Sequence, residues 1–443
     1  MAKTAKKDPA LTPEEKLAQA LVPESEQPYP IPENWYWVRL GNSSEIIMGQ
    51  SPEGTSTTDD PSYMPLIGGA ADMGDLFPKA SRYTTNPTKI GKKNDVILCI
   101  RATLGKPIFS DGEYCLGRGV AAVRSETLIK EYLRYGLISF EQYLYDNATG
   151  TTFAQVSSTV LQKMPFPIAP LAEQHRIVDR IESLFAKLDE AKEKAQAVVD
   201  GFEDRKAAIL QKAFTGELTA EWRKKQEATI SEWQIKKVAD IGEIITGNTP
   251  STKHSEYYNG PIPFVKPTEL NQGRYVATSA ETLTEQGKAV SRPIRAGSTC
   301  ICCIGATIGK CGLVAVDCVT NQQINSIVPY DYMDDVFVYY YCCSSKFKNE
   351  LIANSSATTL PIINKSRTSE LQFVVPSREE QHQIANILDT LFEKEQQAKE
   401  TAEQVIDQIE TMKKSILSRA FRGELGTNDP ADESAEELLR RIL

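Results

Sequence analysis

One segment of this chain occurs twice. Residues 173–218 read EQHRIVDRIESLFAKLDEAKEKAQAVVDGFEDRKAAILQKAFTGEL, and residues 380–425 read EQHQIANILDTLFEKEQQAKETAEQVIDQIETMKKSILSRAFRGEL, with 22 of the 46 positions identical. Weaker likeness continues upstream in the same order, where Trp35 pairs with Trp233 and Gly49 with Gly247. The chain is therefore predicted to contain two copies of one unit, each a globular domain followed by a helix.

The repeated segment carries a heptad pattern, with apolar residues at alternating steps of three and four. A capping-box signature at Ser377 and Glu380 marks the start of the second helix, and Gly216 and Gly423 stand where the helices should end. Each helix would span about 43 residues, or about 65 Å at a rise of ~1.5 Å per residue. A generic structural coiled coil is one interpretation; the economical partner of each helix is the other copy. The predicted seam comprises Ile177, Ile181, Leu184, Leu188, Val198, Phe202, Ile384, Leu388, Leu391, Val405, Ile409 and Ile416.

The remaining sequence consists of short β-branched runs separated by turn residues, such as residues 95–100, 299–304 and 312–316. Helical pieces are predicted at residues 130–146 and 333–353. We therefore expect mixed α/β domains with mainly β cores. The predicted division of the chain is an N-terminal extension at 1–30, a first globular domain at 31–165, a long helix at 166–226, a second globular domain at 227–372, a second long helix at 373–426 and an acidic tail at 427–443.

Composition is that of a globular protein, with 41% hydrophobic and 25% charged residues among 443. No run approaches the ~18 uncharged apolar residues of a membrane span, and residues 1–8 lack the apolar core of a signal peptide. Five of the nine cysteines fall between Cys300 and Cys318, and the odd total favours reduced thiols over a disulfide framework. The sequence thus predicts a cytoplasmic protein.

The formal net charge of -9 does not by itself indicate a nucleic-acid binder. Each globular segment, however, contains 13 basic and 14 acidic residues, whereas residues 373–443 contain 9 basic and 15 acidic residues. Because the acidity is concentrated in the second helix and the tail, each globular domain can still place its basic residues on one face.

The sequence contains no recognisable catalytic set. Residues 305–311, GATIGKC, lack one residue and the Ser or Thr of a phosphate-binding loop. Cys300 and Cys303 form a C-x-x-C pair without the second ligand pair of a zinc site, so buried strand cysteines are the preferred interpretation and no metal site is predicted. His175 and His382 have no nucleophile nearby in sequence, so local hydrogen bonds or a partner contact explain them better than catalysis. The motifs of an amino-methyltransferase, N-P-P-[YF] or D-P-P-Y, do not occur in the sequence.

Two dissimilar globular domains, each followed by a near-identical long helix, resemble the specificity subunit of type I restriction-modification systems. The resemblance covers the chain from about residue 31 to residue 426. It rests on PLAEQH (170–175) and PSREEQH (376–382), on the helix endings AFTGEL (213–218) and AFRGEL (420–425), and on the domain openings PENW (32–35) and SEW (231–233).

The resemblance implies a non-catalytic DNA-recognition subunit. Its two target recognition domains would each read one half of a split, asymmetric site in double-stranded DNA, and its helices would pack as an antiparallel coiled-coil spacer. The implied partners are two methyltransferase subunits, which use S-adenosylmethionine to methylate adenine, and restriction subunits, which use ATP and Mg²⁺; this chain itself would bind no cofactor. Short amphipathic segments at 12–20 and 434–441 lie outside the resemblance and are either docking elements or solvated ends.

A rod of about 65 Å spans about two turns of B-DNA at ~34 Å each, which agrees with half-sites in successive major grooves. Direct readout uses Arg or Lys for guanine and Asn or Gln for adenine. An alternative function is a coiled-coil adaptor whose duplicated domains bind protein, with the same side chains as ordinary exposed loop residues. The predicted DNA-binding residues are Gln50, Arg82, Arg101, Lys106, Arg118 and Thr151 in the first domain and Lys266, Thr268, Arg274, Lys310, Asn321, Gln322, Gln323 and Lys365 in the second.

Overall fold

The computed structural model describes residues 12–150, 153–271, 273–356 and 361–442. Thr151, a predicted DNA-binding residue, lies outside the described residues. The helices of the first half are α1 (Pro13–Ala20), α2 (Leu40–Ser43), α3 (Lys130–Ser139), α4 (Glu141–Asp146), α5 (Ser158–Lys163) and α6 (Leu171–Asp200). Its strands are β1 (Tyr36–Arg39), β2 (Glu45–Met48), β3 (Thr57–Thr58), β4 (Met64–Ile67), β5 (Arg82–Thr84), β6 (Ile90–Gly91), β7 (Val96–Arg101), β8 (Thr103–Phe109), β9 (Tyr114–Leu116), β10 (Val120–Arg124) and β11 (Pro165–Ile168).

The second half has a similar order of elements, with one additional helix, α10, among its strands. Its helices are α7 (Phe202–Phe214), α8 (Ala220–Lys225), α9 (Val238–Ile241), α10 (Glu285–Ala289), α11 (Asp335–Cys343), α12 (Ser345–Ala353), α13 (Lys365–Glu370), α14 (Arg378–Ala420) and α15 (Ala435–Ile442). Its strands are β12 (Gln234–Lys237), β13 (Gly242–Thr246), β14 (Tyr258–Val265), β15 (Tyr275–Val276), β16 (Thr282–Leu283), β17 (Pro293–Ile294), β18 (Thr299–Cys302), β19 (Cys311–Val314), β20 (Cys318–Thr320), β21 (Ile324–Pro329) and β22 (Gln372–Val375).

The chain divides into two compact units that cut across the long helices. The first unit comprises the chain up to Lys194 together with the chain from Val405 onward, and the second comprises Ala195–Gln404. Each unit therefore combines one globular domain with parts of both long helices. The sequence boundaries proposed above for the domains remain a prediction.

The first globular domain is built on two sheets. A four-stranded sheet has the order β2-β10-β7-β8, a five-stranded sheet has the order β3-β5-β4-β9-β6, and β1 pairs with β11. Strand β7 is buried on both faces. Val96, Leu98 and Ile100 belong to the main core with the helices, whereas Ile97 and Cys99 pack in a second core with the five-stranded sheet. This two-sided burial explains why residues 95–100 read as a continuous apolar run.

The second globular domain has the corresponding sheets, β13-β21-β18-β19-β15 and β16-β14-β20-β17, together with the pair β12-β22. Strand β18 takes the place of β7, and Ile301 faces the main core while Cys300 and Cys302 face the second core. The predicted mixed α/β fold with mainly β cores, repeated twice, is confirmed. None of the helices in the described part of the chain combines the length and the hydrophobicity of a transmembrane span.

The helical pieces predicted inside the domains are present, but each is divided in two. Phe140 separates α3 from α4, and Ser344 separates α11 from α12. At the second break the Ser344 hydroxyl accepts a hydrogen bond from the backbone N–H of Phe347, which starts a new helix as an N-cap. Apolar periodicity does not register such a break because the buried face continues across it.

The long helices pair antiparallel within each unit. In the first unit Lys192 and Glu410 lie 2.5 Å apart, and Lys413 pairs with Asp189. In the second unit Arg205 and Glu395 lie 2.7 Å apart. All twelve predicted seam residues are buried or half-buried. Helix α14 is continuous over 43 residues, whereas the first helix of the repeat is interrupted at Gly201 into α6 and α7, which corrects the predicted single rod.

The repeated ending A-F-x-G-E-L closes each core. Ala213 and Phe214 pack in the main core of the second unit, and Ala420 and Phe421 pack in the main core of the first. The glycine that follows each helix has a positive φ, +81° at Gly216, which is the conformation of a helix C-terminal stop. The predicted helix ends are therefore confirmed.

The repeated Glu-Gln pair joins each long helix to its globular domain. Gln174 accepts from the backbone N–H of Ile129 at 3.2 Å, and Gln381 accepts from that of Asp334 at 2.9 Å. Glu380 does not complete the predicted capping box. Its backbone N–H donates to the Ser377 hydroxyl, but its carboxylate accepts from other groups of the second unit.

The two terminal helices pack on the first unit. Thr12 and Glu15 form a capping box at the start of α1, and Leu17 contributes to the main core. Ala435 and Leu439 of α15 are fully buried in the same core. The predicted terminal helices are thus parts of the first unit, and the interpretation as solvated ends is wrong.

Candidate nucleic-acid interface

Each globular domain contains the same four-residue turn. It comprises residues 117–120, which lead into β10, and residues 321–324, which lead into β21. The backbone N–H of its fourth residue donates to the carbonyl of its first, at 3.2 Å in the first domain and 3.1 Å in the second. The backbone N–H of its first residue donates to the carbonyl of the last residue of a neighbouring strand. This acceptor is Ile67 of β4 in the first domain, at 2.8 Å, and Val265 of β14 in the second, at 3.1 Å. The turn thus occupies the same backbone position in both domains.

The exposed second residue of the turn is held by a hydroxyl in both domains. The Nε of Arg118 donates to the Ser51 hydroxyl at 3.2 Å. The Thr249 hydroxyl donates to the side-chain oxygen of Gln322 at 2.6 Å. Ser51 and Thr249 were not predicted from the sequence, although both follow by two residues the paired glycines Gly49 and Gly247.

Gln50 and Arg82 lie near the turn of the first domain. The backbone N–H of Gln50 donates to Leu116 at 2.7 Å, and its side chain is exposed. The Arg82 guanidinium lies 3.5 Å from the Asp72 carboxylate and against the backbone of Gly68. The structure therefore brings three predicted residues of the first domain, Gln50, Arg82 and Arg118, to one surface.

In the second domain the three consecutive predicted residues, Asn321, Gln322 and Gln323, have different environments. Asn321 is buried and donates to the Gln323 side-chain oxygen at 3.0 Å, while the backbone N–H of Gln323 donates back to Asn321. Gln322 and Gln323 are exposed. The expectation that Asn321 reads DNA is therefore replaced by a structural role, because its amide shapes the turn.

Lys266 and Thr268 lie at the end of β14, next to this turn. Lys266 is half-buried and forms an ion pair with Glu281, while the Thr268 hydroxyl donates to Glu269 at 2.9 Å. Arg274 lies elsewhere, against Asp389 of α14 and 3.0 Å from the Tyr340 hydroxyl. Arg274 therefore links the second globular domain to helix α14, away from the turn.

A second loop cluster surrounds the repeated A-T-x-G-K motif. Arg101 donates through two nitrogens to Gln155, at 3.0 Å and 2.7 Å, and Lys106 is exposed in the same loop. The corresponding loop of the second domain contains Lys310, which is half-buried. This loop lies beside the N-terminus of α13, whose first residue, Lys365, is exposed. The A-T-x-G-K loops thus form a second group of predicted residues in each domain.

Four of the six backbone N–H groups in the loop at residues 305–310 donate hydrogen bonds within the chain. The backbone N–H groups of Gly305, Ile308, Gly309 and Lys310 all donate to carbonyl oxygens of the chain. A phosphate cradle requires such groups to point at the ligand. These four groups are therefore not available to a phosphate.

The cysteines of β18, and Cys303 directly after it, are core residues. The Cys303 thiol donates to the Gln323 carbonyl at 3.1 Å, and Cys300 lies 3.5 Å from the Ser326 hydroxyl. Burial raises the pKa of the Cys300 thiol to about 12. Within the described ranges, no group of three or more His, Cys, Asp or Glu side chains is arranged to hold a metal ion.

Comparison with known proteins identifies the class. The family model of the type I restriction modification DNA specificity domain matches residues 32–199 and 230–408. The chain therefore belongs to this family, and the predicted resemblance is confirmed.

Individual relatives agree with this membership. The HindI specificity subunit of Haemophilus influenzae is 27% identical over 376 residues, which cover 68% of this chain and 81% of that protein. Two specificity subunits of Methanocaldococcus jannaschii, MjaX and MjaIX, are 30% and 32% identical, and their matches span 44% and 42% of those proteins. The crystal structure of the HsdS subunit from Thermoanaerobacter tengcongensis matches with a TM-score of 0.62 at 20% identity, over 90% of this chain and 100% of that chain.

Proposed function

We propose that this chain is the DNA sequence-specificity subunit of a type I restriction-modification complex, and that each globular domain reads one half of a bipartite duplex site. One observation carries the proposal. The two domains present the same turn on the same backbone frame, but with different exposed polar side chains, Arg118 in one and Gln322 in the other. A shared frame with different reading groups is what two domains with different half-sites require.

The chain is proposed to act without catalysis of its own. Its partners would be double-stranded DNA, two methyltransferase subunits that carry S-adenosylmethionine, and restriction subunits that use ATP and Mg²⁺, with all of them in the cytoplasm. The duplication supports two methyltransferase sites, because an exposed histidine recurs near the start of each long helix. His175 and His382 are both exposed at these helix starts, where a partner can contact them.

Co-expression tests the proposal. Produced with a type I methyltransferase subunit in a host that lacks both, the chain should direct adenine methylation to one bipartite motif, read by single-molecule sequencing of host DNA. The methyltransferase subunit expressed alone is the control and should give no motif. A complex that forms but methylates no defined sequence contradicts the proposal and favours an adaptor.

A further inference from the structure

The turns at residues 117–120 and 321–324 are seated by the same backbone contacts in both domains. The backbone N–H of Gly49 donates to Val120 at 3.0 Å, and that of Gly247 donates to Ile324 at 3.1 Å. A Cβ on Gly49 would lie 2.1 Å from the Gly117 carbonyl oxygen, and a Cβ on Gly247 would lie 2.3 Å from the Asn321 carbonyl oxygen. The repeated glycine is therefore required for the turn to lie against β2 or β13.

A third contact fixes the far side of each turn. The backbone N–H of Ile100 donates to the Gly119 carbonyl, and that of Cys303 donates to the Gln323 carbonyl, both at 2.9 Å. Equivalent hydrogen bonds on each side leave little freedom for the backbone between them. The side chain of the second turn residue thus projects from a rigid support, as sequence readout requires.

The free hydrogen-bonding groups of the second residue match base edges. Ser51 accepts from the Nε of Arg118, and within the described part of the chain neither Nη group of Arg118 forms a hydrogen bond or an ion pair. Two Nη groups can donate together to O6 and N7 of guanine. Gln322 accepts one hydrogen bond from Thr249 and keeps its amide N–H groups and a second lone pair, which is the set that recognises N7 and N6 of adenine.

Two other cations near the turns, both among the predicted DNA-binding residues, are already engaged. Arg82 lies beside Asp72, and Lys266 forms an ion pair with Glu281. A carboxylate partner reduces the freedom of such a side chain to donate to a base. Arg118 and Gln322 therefore stand out because they occupy equivalent positions, are exposed, and are oriented by a neutral hydroxyl.

We infer that these two turns are equivalent base-reading elements, in which Arg118 reads a guanine in one half-site and Gln322 reads an adenine in the other. Ser51 and Thr249 are positioning residues, which orient the reading side chain without touching the base. This inference rests on the proposed function and assigns specificity to one side chain in each domain.

Selection from a pool of duplex DNA with randomised positions tests the assignment, using the full-length chain. Wild-type protein should enrich a bipartite motif. Arg118→Gln should change the preference at one G·C pair of one half-site by about 5- to 150-fold and leave the other half-site intact. Gln322→Arg should act in the opposite half-site alone, at an A·T pair. Arg39→Gln, on β1 and paired with Glu26, is the matched control and should not change the motif.

The positioning role has its own readout. Thr249→Val keeps the shape of the side chain but removes the hydroxyl, so it should broaden the preference at the base pair assigned to Gln322, and Thr249→Ser should restore it. A general loss of binding without a change in base preference at that pair would contradict the role of Thr249.

The outcomes separate the inference from the proposed function. A wild-type chain that enriches no sequence overturns the proposed function and the inference together. A wild-type motif that persists unchanged in both Arg118→Gln and Gln322→Arg overturns the inference alone. Thermal unfolding of each variant, which should match wild type because both side chains are exposed, confirms that base preference is compared between folded proteins.

Discussion

The repeated Glu-Gln-His sequence shows how one residue pattern is satisfied by different neighbours. Glu173 and Glu380 are both buried, and each accepts from the indole N–H of the tryptophan that opens its domain, Trp35 at 2.6 Å and Trp233 at 2.8 Å. A threonine hydroxyl also donates to each glutamate, Thr427 to Glu173 and Thr219 to Glu380, but a further donor differs between the two units. Asn428 donates to Glu173, whereas the charged Arg223 lies 2.5 Å from Glu380. The second junction therefore depends on a buried ion pair.

Removal of Arg223 should destabilise the second unit strongly. Arg223→Met leaves the Glu380 carboxylate buried without its charge partner, and we expect a loss of about 3–5 kcal/mol in the free energy of unfolding, measured with urea. The double variant Arg223→Met/Glu380→Gln should recover part of this loss. Arg39→Met, which breaks the exposed pair with Glu26, should cost about 0.2–1 kcal/mol. Equal losses for Arg223→Met and Arg39→Met would show that the buried pair is unimportant.

The buried thiols predict a decrease in stability at high pH. Burial raises the pKa of Cys99 to about 11 and that of Cys300 to about 12, whereas an unfolded thiol has a pKa of about 8.5. Because the unfolded chain releases these protons first, the thiols contribute fully to stability below about pH 8.5. This contribution is lost as the pH rises to about 11 for Cys99 and about 12 for Cys300.

The urea midpoint should therefore fall between about pH 8.5 and 10.5. The fall should be smaller in the double variant Cys99→Ala/Cys300→Ala, and comparison of the two slopes cancels the titration of the other groups. Parallel slopes would mean that these thiols ionise equally well in the folded protein.

At the scale of elements, the two long helices differ at one position of the repeat. Gly201 in the first corresponds to Gln408 in the second, and only the first helix is interrupted there. The missing side chain leaves room for Arg205, which donates to the Val198 carbonyl and reaches Glu395 across the helix pair. Glu395 interrupts the apolar heptad pattern of the second helix, and Arg205 is its charged partner at the seam of the second unit. Polar pairs at such a seam can fix the register of two helices.

Helix α15 should contribute to stability as a part of the first unit. Leu439 is fully buried, so Leu439→Ala should lower the free energy of unfolding by about 2–5 kcal/mol. The neighbouring Leu438 is only half-buried, and Leu438→Ala is the matched control with a smaller expected loss. Urea unfolding of the chain without partners measures both. An unchanged midpoint for Leu439→Ala would instead support a role of this helix in docking alone.

For the whole molecule, duplication supplies two similar domains that differ in their exposed side chains, and two long helices that belong to both units. The end of each long helix belongs to the same core as the start of the other. Phe421 and Ile177 belong to the main core of the first unit, and Phe214 and Ile384 belong to that of the second. A change in helix length therefore has to be made in both helices to keep their pairing.

Insertion of one heptad into both long helices should lengthen the gap between the half-sites without altering their sequences. Seven residues add about 10 Å of helix, equal to about three base pairs of B-DNA. Each added base pair also rotates the second half-site by about 34°, so we expect a gap longer by about one to three base pairs. Selection from randomised duplex DNA measures the gap. An unchanged gap would exclude a spacer role, and insertion into one helix alone should impair folding.

The sequence by itself determined the duplication, the long paired helices with their seam and ends, and the mixed α/β class, because repeats and apolar periodicity are local properties of the chain. It also predicted Arg118 and Gln322, among other polar loop residues, as DNA-binding residues. Only the tertiary structure separated these two from Asn321, which is buried, and from Arg274, which packs against α14. Hydrogen-bond partners such as Ser51 for Arg118 lie 67 positions apart, and the folding of the chain, rather than any local pattern, brings them together.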